Sequence, residues 1–293
     1  MKQINAFIHP EDEAAMKAMK AIPGFDLLTK KIMSYGFETM LYGINMASKI
    51  RLSKTQMPDL YDRLVGICGK LEIEVPEMYL EMNPYPNAYT YGDTRVCLVV
   101  TSGLLEYLKP DEIDSVIAHE CGHILCHHVL YHTMASFLAL GSDVLGLLGA
   151  WTEPVWYAML YWQRKSELSA DRVGAIVTDI DTVVRTQLRL AGGPETLTGQ
   201  INIEEWASQA DRYEEIRSGK TWNKILQTVA TLNQTHPFAA VRVREIMKWE
   251  KDGGYDKAMK MMFKEKEENR CPRCGEDVDD SWMFCKYCGM KLK

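Results

Sequence analysis

A mainly α-helical fold carrying one small β-sheet, followed by a separate cysteine-built module, is the architecture this 293-residue chain predicts. Three observations carry that expectation. Helical periodicity runs through most of the chain, broken by Pro and Gly where helices start and stop. One stretch, 77–101, holds short β-rich runs and the tight Gly-Asp turn of a hairpin. The last two dozen residues carry Cys-x₂-Cys…Cys-x₂-Cys, a metal-ligand spacing.

Residues 1–54 read as a helical region, with 11–22 and 26–53 mixing polar and apolar positions at helical period. Asp59 to Leu71 reads as a further helix. Glu77 to Met82 is a candidate strand, and Ala88 to Tyr91 pairs with Arg95 to Thr101 through Gly92-Asp93. Pro110 then suits the first turn of a long helix, where its missing N–H costs nothing. Asp111, Glu112 and Asp114 set negative charge at the positive end of that helix's dipole. Ile113, Val116, Ile117, Cys121, Ile124 and Leu125 continue the buried stripe.

On this helix stands His119-Glu120-Cys121-Gly122-His123, a complete His-Glu-x-x-His. Residues four apart share a face at about 5–6 Å between Cβ atoms. Zinc–nitrogen bonds of about 2.0–2.1 Å let both imidazoles reach one ion. Glu120 would then take a proton from a metal-activated water, as in a metallopeptidase. The plain alternative is a buried helix with two hydrogen-bonded histidines. A metzincin would need a third histidine where Val129 stands. His127 shares the helix face one turn on, and reads as a surface residue or a neighbour of the ligands, with metal contact as the lesser option. Glu167 is the better third ligand. Glu167 and Asp171 form an i, i+4 pair on a second helix. One carboxylate could complete a His₂Glu site and the other could fix a ligand histidine's tautomer. An exposed acidic pair is the alternative.

Residues 134–162 leave three readings open: a soluble helical hairpin capping a cleft, a peripheral membrane contact, and a span. Their first half is apolar except for Asp143, Glu153-Pro154 breaks it, and Trp156, Tyr157, Tyr161 and Trp162 follow. Helices are then expected at 180–191, 203–213 and 221–232, and from His236-Pro237 to about Glu250. The Lys/Glu-rich run ending at Asn269 reads as a solvated helix or linker.

Cys271, Cys274, Cys285 and Cys288 form two knuckles with ten residues between the pairs. Four thiolates so spaced fit one structural zinc, which would supply the folding energy of a module too small for a core, residues 270–293. It could act as a lid, dock a protein partner or present substrate. A nucleic-acid role is the weaker reading, since a net charge of −6 argues against a general nucleic-acid binder. Cys68, Cys97, Cys121 and Cys126 lack a disulfide-like arrangement, and no secretory leader opens the chain, so the cytoplasm is the expected compartment, with membrane association left open by 134–162.

Four patches together resemble the HtpX-type zinc endopeptidases, the gluzincin group that also holds the Oma-type and CAAX prenyl proteases. They are His119-Glu120-Cys121-Gly122-His123, Glu167-Leu168-Ser169-Ala170-Asp171, Asn87-Ala88-Tyr89, and Thr235-His236-Pro237 followed by Arg242. The resemblance covers roughly 55–250. It implies a gluzincin-type peptidase domain, 55–266, with a catalytic zinc on His119, His123 and Glu167, Asp171 behind a ligand and Glu120 as general base. Asn87, Ala88 and Tyr89 would border the cleft as a substrate-pairing strand. His236 and Arg242 would donate to the oxyanion, against the plainer reading of a helix-start His and a surface Arg. His236 could also swing onto the zinc and shut the site. Unfolded or damaged polypeptides are the implied substrates. The rival class is a non-catalytic zinc scaffold that holds chains without cutting them.

Overall fold

The computed structural model describes residues 6–34, 36–139, 153–218, 238–268, 270–279 and 281–293. The expected helix at 221–232, the Thr235-His236-Pro237 patch and the middle of 134–162 lie outside these residues.

The fold is mostly helical with one four-stranded sheet. Helix α1, Pro10–Lys20, starts on His9, whose Nδ1 accepts from the Glu11 amide, with Pro10 in the first turn. The stretch expected as one helical region at 26–53 divides. Helices α2 (Phe25–Ser34) and α3 (Phe37–Ser48) part at Gly36, which takes φ 64°, and β1 follows at Ile50–Arg51. Strand β1 exists because it pairs antiparallel with Leu80 and Tyr79, a non-local contact that local periodicity does not reveal. Helix α4 spans Pro58–Leu71.

Strands β2 (Glu77–Glu81), β3 (Ala88–Tyr91) and β4 (Cys97–Thr101) complete the sheet in the order β1-β2-β4-β3. β3 and β4 form the expected antiparallel hairpin, with β3 at the edge. Gly92 turns it at φ 122°, where an added Cβ would lie 2.1 Å from the Arg95 carbonyl oxygen. β4 is buried on both faces. Leu98 and Val100 enter the core with α4 and α6, while Val99 and Cys97 pack on Tyr79.

Thr101 caps the short α5 (Ser102–Tyr107) by accepting from the Leu104 amide. Helix α6, Pro110–Leu125, opens with the Glu112 carboxylate accepting from the Lys109 amide. It is buried without interruption from Ser115 to His123. Helix α7 is Val129–Ala139 and α8 is Glu153–Val177. Pro154 therefore sits in the first turn of α8 instead of separating two segments. The aromatics from Trp156 to Trp162 share that helix with Glu167. Among the described residues, no helix is long and apolar enough to cross a membrane.

α8 spans two apolar clusters. Its first half packs Val155, Met159 and Trp162 with α1, α2, α3 and α7; its second half packs Val173, Ala175 and Ile176 with α4, α6 and the sheet. α6 and α8 approach closely at Gly122, where a Cβ would lie 3.0 Å from the Ala170 Cα. Helices α9 (Ile180–Gly192), α10 (Glu195–Thr198), α11 (Ile203–Ser218), α12 (Ala239–Lys251) and α13 (Gly254–Glu268) follow. The Lys/Glu-rich run is thus helical to Glu268. The tail forms two like knuckles, bridged at Arg270–Asp277 and Phe284–Lys291, each turning on a left-handed glycine, Gly275 or Gly289.

Candidate metal centre and active site

α6 sets His119 and His123 one turn apart on its buried face, with ring centroids 4.9 Å apart. α8 brings Glu167 across to them. Its Oε2 is 3.4 Å from His119 Nε2 and its Oε1 is 3.3 Å from His123 Nε2. All three side chains are buried. Bonds of about 2.0–2.1 Å around a tetrahedral ion give donor–donor edges of about 3.3–3.4 Å. Two imidazole nitrogens and a buried carboxylate brought this close, each nitrogen nearest a different carboxylate oxygen, are a donor set that zinc takes.

Behind His119, Asp171 Oδ1 lies 3.0 Å from Nδ1. A carboxylate only accepts, so Nδ1 donates to Asp171, which leaves Nε2, on the Glu167 side, as the atom that could take a metal. Burial would raise the Asp171 pKa, but the Arg242 charge and hydrogen bonds outweigh it and hold the carboxyl at about 2. Burial disfavours a charged His119, yet the hydrogen bonds to Asp171 and Glu167 lift it to about 9. The carboxylates thus favour positive charge at this spot, whether it comes as a proton or as a metal ion. Burial pushes the His123 pKa down.

Arg242, from α12, is buried, not a surface residue. Its Nε donates to Asp171 Oδ2 at 2.7 Å, Nη2 lies 2.5 Å from Asp171 Oδ1, and Nη1 lies 3.0 Å from Glu167 Oε2. The guanidinium joins Glu167 and Asp171 of α8 in one clamp. Glu120 is also buried, and the Thr90 hydroxyl of β3 donates to its Oε2. Thr90 was not expected, although strand alternation places it on the same inward face as Ala88.

A cavity of about 970 Å³ opens beside the cluster, lined by Asn87, Ala88, His119, Glu120, Phe238 and Arg242 among others. Tyr89 faces away from it: its hydroxyl donates to Glu81 at 2.5 Å and accepts from Lys49 at 2.9 Å. His236 lies outside the described residues.

His127 does not share the face of His119 and His123. α6 ends at Leu125, and His127 is exposed with φ 58°, so the helical phase is lost before it. The turn instead delivers His128, whose Nδ1 lies 3.1 Å from His123 Nδ1. It also delivers His132, whose Nε2 is 2.8 Å from Ser166 Oγ. By sequence both stand out of phase with the third histidine of a metzincin, and the reversal at His127 bears no Gly or Asn to announce where they turn. In the tail, the four cysteine sulfurs lie within 4.8 Å of one another, with Cys271–Cys288 at 3.5 Å and Cys274–Cys285 at 3.6 Å. A tetrahedral ion with bonds of about 2.3 Å needs edges of about 3.8 Å, so the four thiols fit zinc after a small outward adjustment.

The sequence model of peptidase family M48 matches residues 70–250, more than half of the chain. The chain belongs to peptidase family M48. A zinc-ribbon domain model matches residues 267–292. The plastoglobule-localized metallopeptidase 48 of Arabidopsis thaliana is 31% identical over 87% of this M48 chain and 75% of its own length. A protease HtpX homolog of Trichormus variabilis is 22% identical over 78% of the chain and 86% of its own length. Another HtpX homolog, from Pelotomaculum thermopropionicum, is 29% identical over 42% of the chain and 44% of its own length. No solved structure matches. Membership in M48 makes the chain a metalloprotease.

Proposed function

We propose that the chain is a zinc-dependent endopeptidase that cuts unfolded or damaged polypeptides at the His119–His123–Glu167 cluster. One observation carries the reading: both imidazoles of α6 turn a nitrogen to the buried Glu167 carboxylate of α8, His119 Nε2 at 3.4 Å from Oε2 and His123 Nε2 at 3.3 Å from Oε1. Bound there, zinc would supply a Lewis acid and draw the pKa of a water down to about 7. Glu120 takes the proton of the attacking water and returns it to the leaving amine. Thr90 fixes the Glu120 carboxylate through Oε2. Asp171 orients His119, and Arg242 holds Asp171 and Glu167 in place. Arg242 is therefore read first as a positioning residue, with donation to the oxyanion shared with His236 as its second use. The edge strand β3 supports an extended substrate along Asn87 and Ala88, a mode that suits chains without fold. The tail is read as a Cys271/Cys274/Cys285/Cys288 zinc ribbon that docks a partner or substrate.

Casein digestion with and without chelator, beside Glu120→Gln, tests the reading. Chelation should abolish cleavage, and Glu120→Gln should cost about 10²–10⁴-fold. Equal, chelator-insensitive cleavage by both proteins would exclude this site. The scaffold alternative predicts binding of unfolded casein with no cleavage at all. We place the chain in the cytoplasm, with peripheral membrane contact through 134–162 as a further reading; the Arabidopsis relative's name sets that protein at plastoglobules. Flotation with lipid vesicles decides between the two.

A further inference from the structure

His119 and His123 are the two histidines of one motif, yet the groups behind them differ. Asp171 stands directly behind His119. Behind His123 stands another imidazole: His128 Nδ1 at 3.1 Å from His123 Nδ1. The far nitrogen of His128, Nε2, is 3.0 Å from Asp12 Oδ2, on α1. Asp12 and His128 are 2% and 1% exposed, so water does not compete for these contacts. Asp12 is itself fixed. Trp162 Nε1 donates to its Oδ1 at 2.8 Å and Ser169 Oγ to its Oδ2 at 2.5 Å, while Ser169 Oγ accepts from the His9 amide at 2.9 Å. Burial would raise the Asp12 pKa, but the hydrogen bonds from His128, Ser169 and Trp162 hold it below the ordinary carboxylate value.

We propose that α1 completes the metal centre, Asp12 acting through His128 to set the tautomer and orientation of His123. The proton inventory leads there. An ionised carboxylate can only accept, so His128 donates from Nε2. To receive a proton from a His123 that binds metal through Nε2, His128 must present the lone pair of Nδ1. His123 must donate to it from its own Nδ1, which leaves the His123 Nε2 lone pair facing Glu167. That is the tautomer Asp171 imposes on His119 in one step. Both histidines are thus backed by a buried carboxylate, one of them at one remove. Asp12 lies outside the 70–250 stretch matched by the family model, so the N-terminal helix is part of the working site and not an appendage to it.

The inference rests on reading His123 as a zinc ligand, and the experiment separates the two. Zinc content and affinity are measured on the full chain by competition with a chromophoric chelator. The ribbon zinc serves as an internal reference that substitutions near α1 should not touch. Wild type should hold two zinc ions. His128→Phe removes the acceptor and should weaken the cleft zinc about 10–100-fold while leaving the ribbon zinc unchanged. His128→Asn keeps an oxygen acceptor near the Nδ1 position and should recover most of that loss. Asp12→Asn should weaken the cleft zinc in the wild-type background and change nothing in the His128→Asn background, since the link is already cut there. Wild-type affinity in both His128→Phe and Asp12→Asn overturns the proposal. So does an equal effect of Asp12→Asn in both backgrounds, which would mean a purely structural Asp12. If His128→Phe does not fold, the Asp12→Asn pair of measurements decides alone. Wild type carrying only the ribbon zinc would instead overturn the zinc reading of the cleft.

Discussion

Thr90 shows how a single hydroxyl conditions the chemistry. It comes from the edge strand, reaches Glu120 and leaves that carboxylate one fewer orientation to sample. A hydrogen bond to a charged group is worth about 1.5–3 kcal/mol. Thr90→Val keeps the volume and deletes the donor. It should therefore lower kcat by about tenfold or more, with zinc content unchanged; a loss of zinc instead would assign Thr90 to metal binding. Arg242 belongs to a different class of residue. Its guanidinium pairs with two buried carboxylates, and removing it takes their shared cation away. Breaking a buried pair on one side costs about 3–5 kcal/mol. Arg242→Met should show that loss in denaturant unfolding, whereas an Arg242 that acted only on the oxyanion would leave stability nearly unchanged.

The elements hold these residues by close approach. Gly122 lets α6 lie against α8, where a Cβ would meet Ala170 Cα and Val173 Cβ at 3.0 Å each. Both neighbours are rigid, so Gly122→Val should destabilise by about 1–3 kcal/mol and push His123 away from Glu167. The junction of α1 with α12 adds a pH signature. His9 Nε2 lies 3.5 Å from Glu245 Oε2. The His9 hydrogen bond, opposed by burial and aided by Arg244, lowers the Glu245 pKa from 4.5 to about 2. A depressed carboxylate stabilises the fold above its unfolded pKa and loses that contribution as pH falls through its folded one. The melting difference between wild type and Glu245→Gln should thus be full above pH 4.5 and vanish towards pH 2. A difference that stays constant across that window would mean the contact is not electrostatic.

Across the whole molecule, the legible parts are those written locally. The His119–His123 spacing, the Glu167–Asp171 spacing and the β3–β4 turn each sit within a few residues, and periodicity or turn chemistry reveals them. What stayed hidden is long-range. β1 needs β2, Thr90 needs Glu120, and Asp12 reaches His128 only after α1 has packed on α8. His127 was set in helical phase because nothing before it signals a stop; a histidine takes the left-handed turn that glycine usually marks.

The ribbon gives the last test, because its stability has a different source from that of the catalytic body. In the body, Trp162, Leu64, Ile117 and Met159 are wholly buried and carry the fold by apolar burial. The tail has only two of its cysteines buried, and leaves Met283, Phe284 and Tyr287 more than half exposed. Such a segment has no core to fold it, so its thiolates and their metal must do so. Against burial, the amides of Cys274 and Arg273 hold Cys271 at about 6, ready to bind as thiolate near neutral pH. Cys274→Ser with Cys288→Ser should then cost one zinc per chain and disorder the tail by NMR. The melting transition of the helical body and the zinc proposed for His119, His123 and Glu167 should remain as in wild type. A tail that stays folded without metal would mean apolar contacts suffice there; a joint collapse would mean the two zinc sites share one cooperative unit.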